Sequence, residues 1–353
     1  MAEFSPREAP SGALLMIQPR LPGVILTLGF SLVLSTMTSA AEPIVIAHRG
    51  ASGYLPEHTL EAVAMAHAQG AHYIEQDVVL SKDGVPVVLH DVQIDAVTDV
   101  ARRFPERKRP DGRWYALDFT LAELQTLKVT ERINPRTGEP VSSKRFPVGL
   151  GTFRIPTLEE ELEFISGLNQ STGRIVGIYP EIKAPAWHRE QGVDPSPIVL
   201  ATLARFGYED KDDPCYLQCF DFEEVRRIRE DLGYRGRLVQ LLGSPRGPNG
   251  VSPTSPEGLD QLARNVDGIG PALPLVLRQS EHGGYQATDL VRLAHERKLE
   301  VHPYTIRADA LPPGLEGPEE LFRLVFDVAG VDGVFTDHPD QGVGYLRRRD
   351  RQP

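Results

Sequence analysis

The stretch Tyr73-Ile74-Glu75-Gln76-Asp77-Val78-Val79-Leu80-Ser81-Lys82-Asp83-Gly84-Val85-Pro86-Val87-Val88-Leu89-His90-Asp91 decides how the rest of the chain is read. The run from Tyr73 has the apolar content of a buried strand, and so does Val87-Val88-Leu89. A parallel neighbour needs a crossover of roughly a dozen residues, and Ser81-Lys82-Asp83-Gly84 is far too short for one. The second run is therefore the return arm of a hairpin turning at Asp83-Gly84. Such a hairpin rises beyond its strand and comes back, which returns His90 and Asp91 to the level of Glu75 and Asp77.

With that arm set aside, eight short apolar runs remain after Glu42: 44–47, 73–77, 177–181, 216–220, 238–242, 267–270, 301–305 and 333–337. Between most of them lies enough chain for one helix and two loops. Candidate helices cover 60–69, 158–166, 197–206, 222–232 and 289–297. Strands alternating with helices indicate a parallel sheet with helical crossovers, and eight such units indicate a closed (β/α)8 barrel of the TIM type. The stretch from about 92 to 157, rich in Arg, Lys, Pro and Gly, reads as an insertion on the rim with little apolar periodicity beyond 121–127. Insertions after barrel strands sit over the active-site face, so this one is expected to shape the pocket mouth. Residues 243–258 read as a plain loop, and the Arg-rich end, 347–351, as a frayed, solvated tail, with 349–353 outside the barrel domain of 42–348.

The first 41 residues differ from the rest. Arg20 precedes an apolar run, 21–34, and small residues follow to Ala41. Charge, short apolar core and small residues are the layout of a cleaved secretory signal. Met16 is an alternative start that would give a normal short basic leader. The expected location is periplasmic or secreted, with no stable membrane anchor after cleavage. Cys215 and Cys219 lie four apart; on a strand that is roughly 13 Å, whereas a disulfide needs Cα atoms within about 7 Å. Both are expected to be free, buried thiols. The formal net charge of −11 disfavours a nucleic-acid partner.

Side chains at the C-terminal ends of barrel strands converge on one face. Glu75 and Asp77, two apart, point to the same side of their strand. Carboxylates this close do not both ionise cheaply without a cation between them. Glu181, from the next core strand, adds a third oxygen donor. The set suits a hard divalent ion, Ca²⁺ or Mg²⁺, with positions left for substrate oxygens; the plainer alternative is a salt-bridge network with Arg49 and Lys183. His48 and His90 sit beside this group as candidates for acid–base work near neutral pH. Arg49 and Lys183 offer positive charge to a phosphate, and Gly50 and Gly53 leave the backbone room for close approach. His58, His67, His72, His188, His282, His295 and His338 lack such company and read as structural.

The segments Ile46-Ala47-His48-Arg49-Gly50-Ala51-Ser52-Gly53, Pro56-Glu57-His58-Thr59, Glu75-Gln76-Asp77 and Leu89-His90-Asp91 resemble glycerophosphodiester phosphodiesterases. So do Tyr179-Pro180-Glu181-Ile182-Lys183, Gly268-Ile269-Gly270-Pro271 and Phe335-Thr336-Asp337, with the periplasmic bacterial branch most similar. The resemblance implies a distorted (β/α)8 phosphodiesterase barrel holding a divalent ion, usually Ca²⁺ in that branch. It implies Glu75, Asp77 and Glu181 as metal ligands, His48 as general base, His90 as general acid and Arg49 as a phosphate contact. The expected reaction is hydrolysis of glycerophosphocholine, -ethanolamine, -glycerol or -inositol to glycerol 3-phosphate and an alcohol. Two rivals remain. A related barrel acting on intact phospholipid or wall polymer would need an apolar rim, and Trp114-Tyr115 is the only exposed apolar pair expected in the insertion. A solute-binding barrel without turnover would be expected to lack a histidine or a ligand, and none is missing.

Overall fold

The computed structural model describes residues 42–247, 250–280 and 283–351. The leader, the alternative start at Met16 and His282 lie outside these residues. The strands are β1 (Ile44–Ala47), β2 (Tyr73–Leu80), β3 (Pro86–Val88), β4 (Gly177–Ile182), β5 (Tyr216–Cys219), β6 (Arg237–Leu242), β7 (Gly268–Pro271), β8 (Leu277–Gln279), β9 (Tyr285–Ala287), β10 (Glu300–Val301) and β11 (Gly333–Thr336). Eight of them pair in the order β10-β7-β6-β5-β4-β2-β1-β11, every neighbour parallel. These are the eight runs read from the sequence. Between β10 and β11 the ladder is irregular. There Asp332 N donates to Val301 O (3.1 Å), Phe335 N to Pro303 O (3.0 Å) and Ile306 N to Phe335 O (2.8 Å), so the barrel is nearly closed.

β3 pairs antiparallel with β2, Val78 opposite Val88. Gly84, at φ +77°, supplies the left-handed turn, and Leu89 N donates to Asp77 O at 2.8 Å. The hairpin therefore delivers His90 one residue beyond the level of Asp77.

The period of two along each strand divides the barrel. Outward residues such as Ile74, Ile178, Leu217, Cys215 and Cys219 join the large core beneath the helices, and both cysteines are free and buried, as expected. Inward residues Ile46, Tyr179, Tyr216, Val239 and Phe335 fill the barrel itself. Tyr179 stacks on Tyr216 with centroids 5.0 Å apart and meets Phe335 edge-on at 4.9 Å. Gly177 is required here because a Cβ would strike the Tyr73 ring. His302 closes this plug, its Nδ1 2.9 Å from the Tyr179 hydroxyl. It thus lies below the rim, within the plug. Above this dry layer the inward positions turn polar.

The helices lie where the sequence places them, with ends set by caps. Leu60–Gln69 is capped by Thr59 and stopped by Gly70 at φ +95°. The helix read as 158–166 runs Leu158–Thr172, because its Thr157–Glu160 capping box starts it and only Gly173 ends it. Two expectations need correction. The loop 243–258 ends early, since Ser255 caps a helix Pro256–Leu262. Arg347, Arg348 and Arg349 are not frayed: they form the last turn of the helix Pro339–Arg349, where cations oppose the helix dipole. The rim insertion has a core of its own: Ile94, Val97, Val100, Phe119, Leu124, Leu127, Val129 and Phe153 pack onto Val79, Val87 and Leu89 of the hairpin. Most of its apolar residues sit on irregular chain, so beyond 121–127 no period announces them. Among the described residues no helix is long and apolar enough to cross a membrane.

Candidate active site

The register of the sheet sets the acidic group. Asp77 pairs with Glu181 and Glu181 with Gln218, so these three residues lie at one height on adjacent strands. Carboxylate oxygens of Glu75, Asp77 and Glu181 come within 4.8 Å of one another, and all three residues are buried. Burial and the neighbouring Asp77 push the Glu75 carboxyl well above its usual range. Burial also drives Glu181 up to about 8, with Asp77 adding to the rise and Lys183 opposing it. Asp77 stays low despite burial because Lys183 and His58 face it. Its Oδ1 has no hydrogen-bond partner. Three buried oxygen donors, two of them reluctant to ionise and one partly orphaned, fit a divalent cation.

The salt-bridge alternative is also partly realised. Lys183 Nζ lies 2.8 Å from Glu181 Oε1 and 3.6 Å from Asp77 Oδ1, so Lys183 faces the acids and does not stand on the pocket wall. Arg49 adopts φ +59°, a strained conformation outside glycine. That turn lets its N donate to Glu75 Oε2 (3.0 Å), while Nη1 donates to Glu57 (3.0 Å).

His48 and His90 line one pocket of about 340 Å³ together with Glu75, Asp77, Glu181 and Arg49. Each imidazole is held from behind by an acid. His48 Nδ1 lies 2.6 Å from Asp337 Oδ1, and His90 Nδ1 lies 2.7 Å from Asp91 Oδ1. Burial and Arg49 lower His48 to about 4 against the pull of Asp337, so it is neutral at pH 7. Burial and Arg49 lower His90 as well, while Asp77 and Asp91 hold it up. Phe220, Leu241 and Tyr304 form the apolar side of the same pocket. Leu241, near the end of β6, is thus part of the wall, while Leu242 turns outward into the large core.

Four functional neighbours are not apparent from strand spacing. His58, read as structural, lies 2.7 Å from Asp77 Oδ2 and is buried against the acidic group. Glu57 joins Arg49 to Arg132 (2.5 Å), and Arg132 reaches Asp91 (2.7 Å). Arg145 links Asp309 to Asp337. Asp337 carried a readable signal, an acid just past a strand end, and Glu57 lies in the Pro56-Glu57-His58-Thr59 segment that carries the resemblance; Arg132 and Arg145 carried none, because loops bring them in. His67, His72, His188 and His295 instead bond Asn169, Val45 N, Ala184 O and Asp332.

Two further expectations change. At Gly50 and Gly53 the missing side chains make room for Ala62 and for the His338 ring, respectively, not for a ligand. Trp114 and Tyr115 are not an exposed apolar pair: Trp114 Nε1 donates to Phe104 O, and Tyr115 is buried and stacked on Trp187. The exposed large apolar residues of the insertion are Val141, Val148 and Leu150.

The model of the glycerophosphoryl diester phosphodiesterase family matches residues 48–341. A glycerophosphodiester phosphodiesterase of Haemophilus influenzae is 43% identical over 329 residues, covering 87% of this chain and 90% of the relative. One from Treponema pallidum is 38% identical, covering 87% and 92%. The structure of an Oleispira antarctica phosphodiesterase in complex with sn-glycerol-3-phosphate superimposes with a TM-score of 0.59 at 22% identity, over 87% of this chain and 97% of that one.

Proposed function

The chain belongs to the glycerophosphoryl diester phosphodiesterase family and is an enzyme of that kind, and from that premise we propose that it hydrolyses glycerophosphodiesters by acid–base catalysis between His48 and His90. Its substrates are glycerophosphocholine, -ethanolamine, -glycerol and -inositol, and its products glycerol 3-phosphate and the free alcohol. The observation that carries this is the pairing, in one pocket, of two acid-backed histidines with three clustered carboxylates. Glu75, Asp77 and Glu181 would hold the divalent ion, Ca²⁺ as the family resemblance implies, with Mg²⁺ the alternative that the same hard oxygens suit, and that ion would supply Lewis-acid stabilisation of phosphoryl oxygens.

The chain's own groups do the rest. Arg49 donates to a non-bridging oxygen and offsets charge as it grows. His48, with Nδ1 turned to Asp337, presents the Nε2 lone pair and takes the proton of the nucleophile, which is water or the glycerol 2-hydroxyl. The new P–O bond forms as the P–O bond to the alcohol breaks. His90 Nε2 gives its proton to the departing oxygen; the arriving phosphodiester anion favours the protonated ring. Lys183 keeps the acids from repelling the substrate. On the 2-hydroxyl route water then opens the cyclic phosphate, giving its proton to His90 while His48 returns its proton to the 2-oxygen as that P–O bond breaks, so both routes end at glycerol 3-phosphate; a cyclic phosphate trapped during turnover selects the 2-hydroxyl as nucleophile, and its absence selects water.

Purified protein is assayed with glycerophosphocholine after EDTA treatment and after return of Ca²⁺ or Mg²⁺. Metal-dependent release of glycerol 3-phosphate is expected; none would overturn the reading. The same proposal places the mature chain in the periplasm or outside the cell. N-terminal sequencing of exported protein is expected to begin near Glu42, and a chain that keeps Met16 would refute export with cleavage.

A further inference from the structure

Arg145 comes from the insertion, yet it meets three strand ends of the barrel at once. Its Nε and Nη2 donate to Asp309 Oδ2 (2.9 Å) and Oδ1 (3.0 Å) as a bidentate pair. Nη2 also donates to Asp337 Oδ2, and Nη1 to Ser52 O (3.3 Å). Ser52, Asp309 and Asp337 lie in the chain that follows β1, β10 and β11, respectively. Ser52 Oγ in turn donates to His48 O (2.7 Å). Arg145 therefore stands behind His48 twice, through Asp337 at the ring and through Ser52 at the backbone.

The sheet fixes the backbone on both sides of the His48–Asp337 pair. Ala47 pairs with Thr336, and His48 N donates to Thr336 O (3.0 Å). What the sheet leaves free is the rotation of the Asp337 side chain. Oδ1 faces His48 Nδ1, so whatever binds Oδ2 sets the plane of the carboxylate. Two arginines bind it. The Arg307 side chain is 41% exposed, whereas that of Arg145 is 13% exposed and that of Asp337 1%. Water screens the first pair far more than the second, so Arg145 is the firmer hold. Asp309, which also accepts from Ser142 Oγ (3.0 Å), keeps Arg145 itself in place.

We propose that Arg145 is a positioning residue for the base, a role that rests on the function given above to His48. It orients Asp337 so that His48 keeps its proton on Nδ1 and its lone pair on Nε2. Arg132, earlier in the same insertion, stands behind His90 through Asp91. One insertion then supports both histidines, and damage at its two arginines has different consequences.

The test uses Arg145→Met, which keeps the stem and removes every donor, and Arg145→Lys, which keeps the charge without the fork. Both are assayed on glycerophosphocholine and on a nitrophenyl glycerophosphodiester. Arg145→Met is also placed in an Asp337→Asn background. Alone, it is expected to lower kcat about 10- to 10²-fold, by the same factor on both diesters and with little change in KM. Arg145→Lys should recover part of that loss. In the Asp337→Asn background, Arg145→Met should cost less than about threefold, because residues that act as a unit are not additive. Loss of folded protein would carry over into that background in full, so it does not mimic the result. An unchanged kcat, a rise in KM alone, or a full further loss in the double variant would overturn the assignment. So would a loss confined to glycerophosphocholine, which is the pattern of His90. Nitrogen-15 spectra of the imidazoles report the tautomer without turnover: His48 is expected to carry its proton on Nδ1 in the wild type and to be mixed in Arg145→Met. The same tautomer in both would overturn the assignment. A wild type that turns over neither diester would instead refute the function given to the site, and the spectra would still decide the role of Arg145.

Discussion

His48 Nδ1 and Asp337 Oδ1 are 2.6 Å apart, and that contact fixes which nitrogen of the imidazole can act. Against the cost of burial, His48, Arg307 and Arg145 hold the Asp337 carboxyl well below the carboxylate range, so it is ionised and can only accept. Nδ1 must carry the proton, and the free lone pair falls on Nε2, 3.8 Å from Glu75 Oε2. Asp337→Asn keeps the shape but lets the amide present a donor to Nδ1, which favours the wrong tautomer. Steady-state kinetics on glycerophosphocholine are expected to show kcat reduced roughly 10²- to 10⁴-fold with a small change in KM. A rise in KM at constant kcat would make Asp337 a binding residue instead.

The second histidine is tested through its leaving group. If His90 protonates the departing alcohol, His90→Ala should slow glycerophosphocholine by roughly 10²-fold or more and a nitrophenyl diester far less, since nitrophenolate leaves without a proton. Arg132→Ala, which frees Asp91 behind His90, should show the same pattern more weakly. Equal losses on both substrates would remove His90 from the role of acid.

The thiols give an independent check on the fold. Cys215 and Cys219 lie on the outward side of β5 within the core, and burial raises both, Cys215 up to about 12. Neither is expected to react with a thiol reagent in the native state, and the melting temperature should not move with reductant. Labelling of native protein at a rate near that of the unfolded chain would contradict this packing.

What could be read in advance was what local rules determine. Strand periodicity placed Glu75, Asp77 and Glu181 on one face, and the Ser81–Gly84 connection was too short for anything but a hairpin, which brought His90 to them. The missed residues lie where no local rule reaches. His58 arrives through a left-handed turn at φ +58°, and Arg132 and Arg145 arrive from an insertion whose core has no period beyond 121–127. Asp337 was visible as an acid at a strand end, but only three-dimensional packing joins it to His48, 289 positions away. The charge network behind the histidines is thus tertiary in origin, while the acidic cluster is secondary.

Glu161 tests that distinction from outside the barrel. Gln76, between Glu75 and Asp77, points the opposite way, and its Nε2 donates to Glu161 Oε1 at 3.1 Å. Glu161 is fully buried, its Oε2 lacks a partner, and among the described residues no cation is paired with it. Burial drives its carboxyl up to about 8, Gln76 opposing and Asp77 adding. The folded chain therefore holds a proton there that the unfolded chain has released. Stability is full below about pH 4.5, the unfolded value, and declines as pH rises towards about 8. At about 1.4 kcal/mol per pKa unit the loss amounts to a few kcal/mol. Glu161→Gln keeps an acceptor for Gln76 but has no proton to lose. Melting curves between pH 5 and 9 (roughly the window of the shift) should show the wild type falling several degrees relative to the variant. Parallel curves would mean that Glu161 finds a donor or a cation in solution.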